Sequence, residues 1–308
     1  MAREVVHVQP YDSPPVVFVH VMKTGGTTLV EQVSRHLGPD RVWPLGITDA
    51  SGKAIGSYAF ADALLSAEPR RLRRMGMIAG HLPAVIVDVL AERLGQDMPS
   101  ATIVREPVDR VISHLKQCRS AAGLEHLPLE AVYDDPRFHE PYLTDHQTKV
   151  FAADRQALTE SPADSTHGRM LTDNREAIAE VLASVGPHVD PGSLAGRLAA
   201  VLPEDWDAER VRWGLMTPPA WWVRIDARAT ATALGRLESV DVVGVADDHP
   251  AFSRRLEARF GWRLAPIAAR RVSEQVAVPS SLRRRIADDN QHDLVLYERA
   301  RQLAGRTS

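Results

Sequence analysis

The stretch from Pro15 to Leu37 limits what this chain can fold into more than any other. Residues 15–21, PVVFVHV, form a short run of mostly β-branched apolar side chains, the pattern of a strand buried on both faces of a parallel sheet. Beyond Thr27, residues Leu29, Val30, Val33 and Leu37 recur at helical spacing, and Gly38-Pro39 closes the helix. Between strand and helix lie Met22, Lys23, Thr24, Gly25, Gly26, Thr27 and Thr28. Adjacent glycines let a backbone turn closely around a ligand, because no Cβ stands in the way. The N–H groups of such a turn, and of the helix it opens, converge on an anion with the helix dipole behind them. Lys23 adds a mobile cation, and the Thr27 and Thr28 hydroxyls add donors. The alternative is a plain strand-to-helix turn, with glycine for geometry and threonine as N-cap. Lysine usage favours the anion site: of 37 basic residues only Lys23, Lys53, Lys116 and Lys149 are lysines. A chain that otherwise uses arginine has placed a compact point charge here. The loop also differs from the nucleotide-triphosphate motif GxxxxGK[ST], in which lysine follows the second glycine.

Strand and helix patterns alternate beyond this point. Residues 59–74 read as a helix with an arginine-rich end. Met77–Ala79 reads as a brief strand leading to Gly80-His81, with Pro83 at the start of a helix over AVIVDVLAERLG. SATIVRE (100–106) is another buried-type strand, and Pro107 opens the helix VDRVISHLKQC. The alternation predicts an α/β fold, a parallel sheet flanked by helices on both faces, and the strand, glycine turn and helix at its start make it P-loop-like. After about residue 153 the character changes. Residues 172–186 and 227–239 read as helices, and Trp206, Trp213, Trp221 and Trp222 lie between them with Pro218-Pro219. Residues 240–247 return as a strand, followed by helical stretches at 248–260 and 280–304. The expected organisation is one domain over residues 1–308 with a helical, tryptophan-bearing insertion at about 155–225.

A formal charge of -3 provides no global field for a polyanion, so nucleic acid is not an expected partner and any anion site is local. Cys118 is the only cysteine, which rules out an intrachain disulfide and fits a reducing compartment. The opening MAREVVHVQPYDSPP lacks the apolar core of a signal peptide. No apolar run approaches the ~20 residues of a membrane span. The sequence therefore predicts a cytoplasmic protein without a membrane span, and says nothing of its oligomeric state.

FVHVMKTGGTTL (18–29) resembles the 5′-phosphosulfate loop of the sulfotransferases that use 3′-phosphoadenosine 5′-phosphosulfate (PAPS). Its pattern is closest to the branch of the heparan sulfate 2-O- and 6-O-sulfotransferases. The resemblance implies that Lys23, Thr24, Gly25, Gly26, Thr27 and Thr28 bind the cofactor. In that family a strand ends in arginine, and a serine eight residues later on the next helix joins it on the cofactor's 3′-phosphate. Arg105 and Ser113 stand in that order and spacing. An arginine at a strand's C-terminal end faces the ligand crevice of an open α/β sheet, and its fork matches phosphate oxygens. It is the opposite of the acidic strand end of a Mg²⁺–ATP site. The alternative for these residues is a surface salt bridge of Arg105 or Arg110 with Glu106 or Asp109.

His81, at a strand end between the two anchors, has the residue type of a general base. The 2-O- and 6-O-type enzymes place a catalytic histidine in this interval, and His81 is its counterpart. The resemblance implies in-line sulfuryl transfer from PAPS to a hydroxyl acceptor, which is a glycan, a glycolipid or a small metabolite. His81 would be the base, Lys23 would stabilise the leaving oxygen of PAP (the product 3′-phosphoadenosine 5′-phosphate), and no metal would be required. DHQTKVFA (145–152), VVGVADDHPAFSRRLEARFGW (242–262) and DLVLYERA (293–300) are similar to recurrent features of the same branch, whereas residues 155–225 are not. The tryptophans there either floor the acceptor pocket or plug helices onto the core. Two other functions stay open. One is a P-loop kinase of a small metabolite, with Asp247 and Asp248 holding Mg²⁺ for ATP. The other is a nucleotide-binding protein without catalysis.

Overall fold

A computed structural model describes residues 13–43, 61, 64–184, 191–267 and 277–305 of the chain. The strands β1 (Val16–Val19), β2 (Val42–Trp43), β3 (Met77–Gly80), β4 (Ser100–Val104) and β5 (Val242–Val245) form one five-stranded sheet. Their order is β2-β3-β1-β4-β5, and every pairing is parallel. Parallel strands need crossovers, and helices supply them. They are α1 (Gly26–Leu37), α2 (Pro69–Arg73) and α3 (Ile86–Leu94), each preceding the next strand in turn. After β4 come α4 (Pro107–Ala121), α5 (Leu129–Tyr133) and α6 (His146–Ala152). The helices α7 (Thr166–Asp173), α8 (Arg175–Ser184), α9 (Pro191–Ala199) and α10 (Ala208–Met216) follow, and α11 (Ala227–Glu238) leads into β5. The last elements are α12 (His249–Phe260), α13 (Ser280–Asp289) and α14 (Gln291–Gly305).

The expected α/β fold is the fold observed, and β1 shows why. Its side chains alternate between two apolar layers, as successive strand residues must. Val16 and Phe18 pack with Leu29 and Val33 of α1 and with Phe252 and Leu256 of α12. On the opposite face Val17 meets Ile86, Leu90 and Leu94 of α3, and Val19 meets Phe151, Leu237 and Leu296. Every β1 side chain is buried, so both faces need apolar residues. Each such burial is worth roughly 1.5–3 kcal/mol.

Three expected helices end differently, each for a local reason. The stretch 59–74 lies partly outside the described residues, and within them Pro69 starts α2 afresh rather than continuing a helix. Asn174 ends α7, so the helix expected over 172–186 begins at Arg175, and residues 185–186 lie outside the described set. The helix expected over 280–304 breaks at Asn290, whose backbone leaves helical geometry. The wholly buried Asn290 side chain accepts from the Asp145 N–H (2.8 Å) and donates to the Ile286 carbonyl (2.9 Å).

Trp206, Trp221 and Trp222 are buried packing residues. Trp221 meets Tyr142 and His146 edge-on, with ring centroids 5.1 and 4.9 Å apart, beneath α4. Lys53 and the segment 1–12 lie outside the described residues. Among the described residues no helix is long and apolar enough to cross a membrane.

Lys149 on α6 carries a cost that can be measured. It is buried, donates to the Glu140 carbonyl, and desolvation pulls its ammonium down to about 8. The unfolded chain keeps that proton to about pH 10.5, so the folded state binds fewer protons between pH 8 and 10.5 and stability rises with pH across that window. Below pH 8 the penalty is complete. Lys149→Met is therefore expected to flatten that rise. Urea unfolding of both proteins at pH 7 and pH 9.5 measures it, and an unchanged rise in the variant would assign the pH dependence to other groups.

Candidate active site

The sheet register assembles the site. Val19 pairs with Gly80 of β3 on one side and with Thr102 of β4 on the other. The residues that leave these strands, His20, His81 and Arg105, therefore emerge along one edge, at the C-terminal ends of three adjacent strands. That edge is where ligands bind in open α/β sheets. Thr102 reinforces the alignment, its hydroxyl donating to the Val19 carbonyl (2.9 Å).

The loop after β1 has the conformation its glycines allow. Gly25 has φ +92°, and Lys23, which carries a Cβ, has φ +68°. A non-glycine residue in the left-handed region costs about 1 kcal/mol or more and persists where surrounding structure enforces it. Part of that enforcement is Thr24, whose buried hydroxyl donates to the Val21 carbonyl (2.9 Å). Gly26 is required by a close approach. A Cβ there would stand 2.2 Å from His20 Cδ2 and 2.9 Å from Phe18 Cε1. Two adjacent glycines thus do two jobs, one for φ and one for space.

Lys23, Gly25, Thr27, Thr28, His81, Arg105 and Ser113 line one cleft of about 180 Å³. Thr24 and Gly26 do not line it; Thr24 lines a second cavity of about 640 Å³ beside α12. The two cavities share Gly25, Thr28 and Arg105. The first is lined by two cations and several hydroxyls and, among the described residues, by no carboxylate, a donor set that fits phosphate or sulfate oxygens.

His81 has a defined tautomer. Its Nδ1 lies 2.8 Å from the His20 carbonyl, which can only accept, so Nδ1 carries the proton. In the neutral ring Nε2 then keeps its lone pair. Its ring tilts against that of His20, with centroids 4.3 Å apart. A backbone carbonyl that fixes one imidazole nitrogen thus sets the tautomer of the ring.

Arg105 reaches the loop, its Nη1 donating to the Lys23 carbonyl (3.3 Å). The surface salt bridges weighed for this segment do not form. Glu106 instead caps α4, accepting from Val108 N (3.1 Å) and Asp109 N (2.7 Å), and Asp109 pairs with Arg283 at 2.9 Å. Arg110 is wholly buried, where it donates to the Tyr142 carbonyl (2.8 Å) and to His114 Nδ1 (3.3 Å). Burial lowers the Arg110 guanidinium to about 10, and burial together with Arg110 holds His114 well below the usual imidazole range, hence neutral.

The acidic residues proposed for a magnesium site have other partners. Asp247 accepts from the Tyr297 hydroxyl (2.9 Å), and Asp248 caps α12 through Ala251 N (3.1 Å). Sequence reasoning missed His20 and Gln117, which also line the cleft, and Gln147, which supports Arg105 from behind. The signal for His20 was a polar residue inside an otherwise apolar strand.

The sequence matches no protein-family model and no curated protein. Among solved structures it is similar to the crystal structure of a sulfotransferase from Alicyclobacillus acidocaldarius. Identity is 14%, the match covers 96% of this chain and 97% of that chain, and the TM-score is 0.38.

Proposed function

We propose that this chain is a sulfotransferase that moves a sulfuryl group from PAPS to a hydroxyl acceptor, on one domain into which residues 155–225 are inserted. The observation that carries the reading is the convergence of Lys23, Arg105, Ser113 and His81 on one cleft that, among the described residues, no carboxylate lines. Two phosphate-binding elements and a base of fixed tautomer meet there. The first anchor is the loop Lys23–Thr28, with the N-terminus of α1 behind it. The second is Arg105 with Ser113, positioned by the end of β4 and the second turn of α4.

PAPS, when bound, supplies the sulfuryl group and leaves as PAP. The Lys23 ammonium and the N–H groups of the loop would face the oxygen on which negative charge grows. Arg105 and Ser113 would hold the 3′-phosphate. His81 Nε2 would accept the acceptor's hydroxyl proton as the oxygen attacks sulfur in line. Holding both reactants within one cleft lowers the entropic part of the barrier.

The test uses sulfur-labelled PAPS with a panel of sugar, lipid and phenolic hydroxyl acceptors. The expected result is label on at least one acceptor and an equal amount of PAP. Phosphate transfer from ATP, with no label transfer, would establish the kinase reading instead.

A further inference from the structure

We infer that Gln147 is a positioning residue for Arg105, holding the arginine's backbone so that its guanidinium meets a nucleotide phosphate. This rests on the proposed use of Arg105 as the 3′-phosphate anchor. Arg105 stands one residue beyond β4 and one before the Glu106 cap of α4, where ladder pairing has ended. Its backbone N–H and carbonyl still need partners, because both are partly buried. The Gln147 side-chain amide supplies both. Oε1 accepts from the Arg105 N–H (2.9 Å) and Nε2 donates to the Arg105 carbonyl (2.9 Å). One carboxamide thus takes the place of a peptide group on a neighbouring strand.

The amide is itself fixed from behind. Gln147 is wholly buried on the first turn of α6. Asp293 on α14 accepts from Gln147 N (3.1 Å), Thr148 N (2.7 Å) and Thr148 Oγ1 (2.8 Å). Asp145 returns the arrangement, accepting from His292 N (3.1 Å) and Asp293 N (3.0 Å). Each aspartate therefore satisfies orphan N–H groups at the start of the other's helix. The two segments DHQTKVFA and DLVLYERA become one brace, and Gln147 connects it to the phosphate anchor.

Gln147→Met keeps the volume and removes both hydrogen bonds; Gln147→Asn keeps the amide and shortens its reach. Isothermal titration of wild type and each variant with PAP and ADP reads the ratio of their dissociation constants. A hydrogen bond to a charged group is worth roughly 10- to 100-fold in affinity, and misplacing the Arg105 guanidinium is expected to lower PAP preference by about 10-fold in either variant. ADP affinity should be nearly unchanged, because ADP has no 3′-phosphate. Far-UV circular dichroism and a cooperative melt check the fold of each variant, and Gln147→Asn keeps the test available if Gln147→Met does not fold. A folded variant that retains the wild-type PAP-to-ADP ratio overturns the inference, as does an equal loss of both ligands. A wild-type protein without PAP preference overturns the sulfotransferase reading and this role together, and is told apart from the other failures without any variant.

Discussion

His81→Ala is expected to slow a single turnover by about 10²–10⁴-fold, the usual contribution of a positioned general base. PAP affinity should stay nearly unchanged, because in the proposed mechanism the imidazole would act on the acceptor rather than on the nucleotide. The tautomer gives the expected pH behaviour its direction. Nδ1–H is committed to the His20 carbonyl, so a base at His81 would act through Nε2, and the proposed mechanism expects the wild-type rate to fall on the acid side. The alanine variant should lose that acid limb along with the rate. Single-turnover measurements across pH on both proteins decide it. A variant with wild-type rate and an unchanged profile would move the role of base elsewhere, with His20, the other imidazole of the cleft, first in line.

Lys23→Ala is expected to cut the chemical step by about 10²–10³-fold while weakening PAP by less. The asymmetry follows from where the charge acts. On the proposed reading PAP would be held by loop N–H groups, threonine hydroxyls and Arg105 as well, whereas charge on the departing oxygen would develop only in the transition state. Alanine carries a Cβ, as lysine does, so the unfavourable φ of +68° at this position is retained and the loop conformation is a shared background. Single-turnover rate and PAP affinity, measured separately, test the asymmetry. If most of the rate survives, the assigned role is wrong.

Much of this was legible in the sequence because the informative residues are local. Val16 to Leu37 encode strand, turn and helix within one short stretch, and Ser100 to Ser113 do the same for the second anchor. The glycines could be read as a phosphate turn, but not that Gly26 is required by the His20 ring, since that contact depends on how the loop folds back onto β1. For Arg110 the sequence offers a surface salt bridge with Glu106 or Asp109 only as the alternative reading. Instead the helical phase of α4 carries it into the core, where Tyr142 from a distant turn accepts its hydrogen bond. Gln147 and Asp293 could not be paired from sequence, being 146 positions apart. Pro69 and Asn290 were breaks a stricter reading of helix signals could have found.

The most direct test of the central claim is a series of thermal melts with PAP, ADP and ATP, with and without EDTA, on wild type and Arg105→Ala. A charge-assisted hydrogen bond contributes on the order of 1.5–3 kcal/mol, or roughly 10- to 100-fold in affinity. PAP should therefore stabilise wild type more than ADP does, and EDTA should not change that. Arg105→Ala should bring the PAP shift down toward the ADP shift, leaving the ADP shift nearly as it was. The kinase reading expects ATP or ADP preferred, Mg²⁺ required and Asp247 sensitive to substitution. Equal PAP and ADP shifts in wild type that vanish with EDTA would contradict the sulfotransferase account.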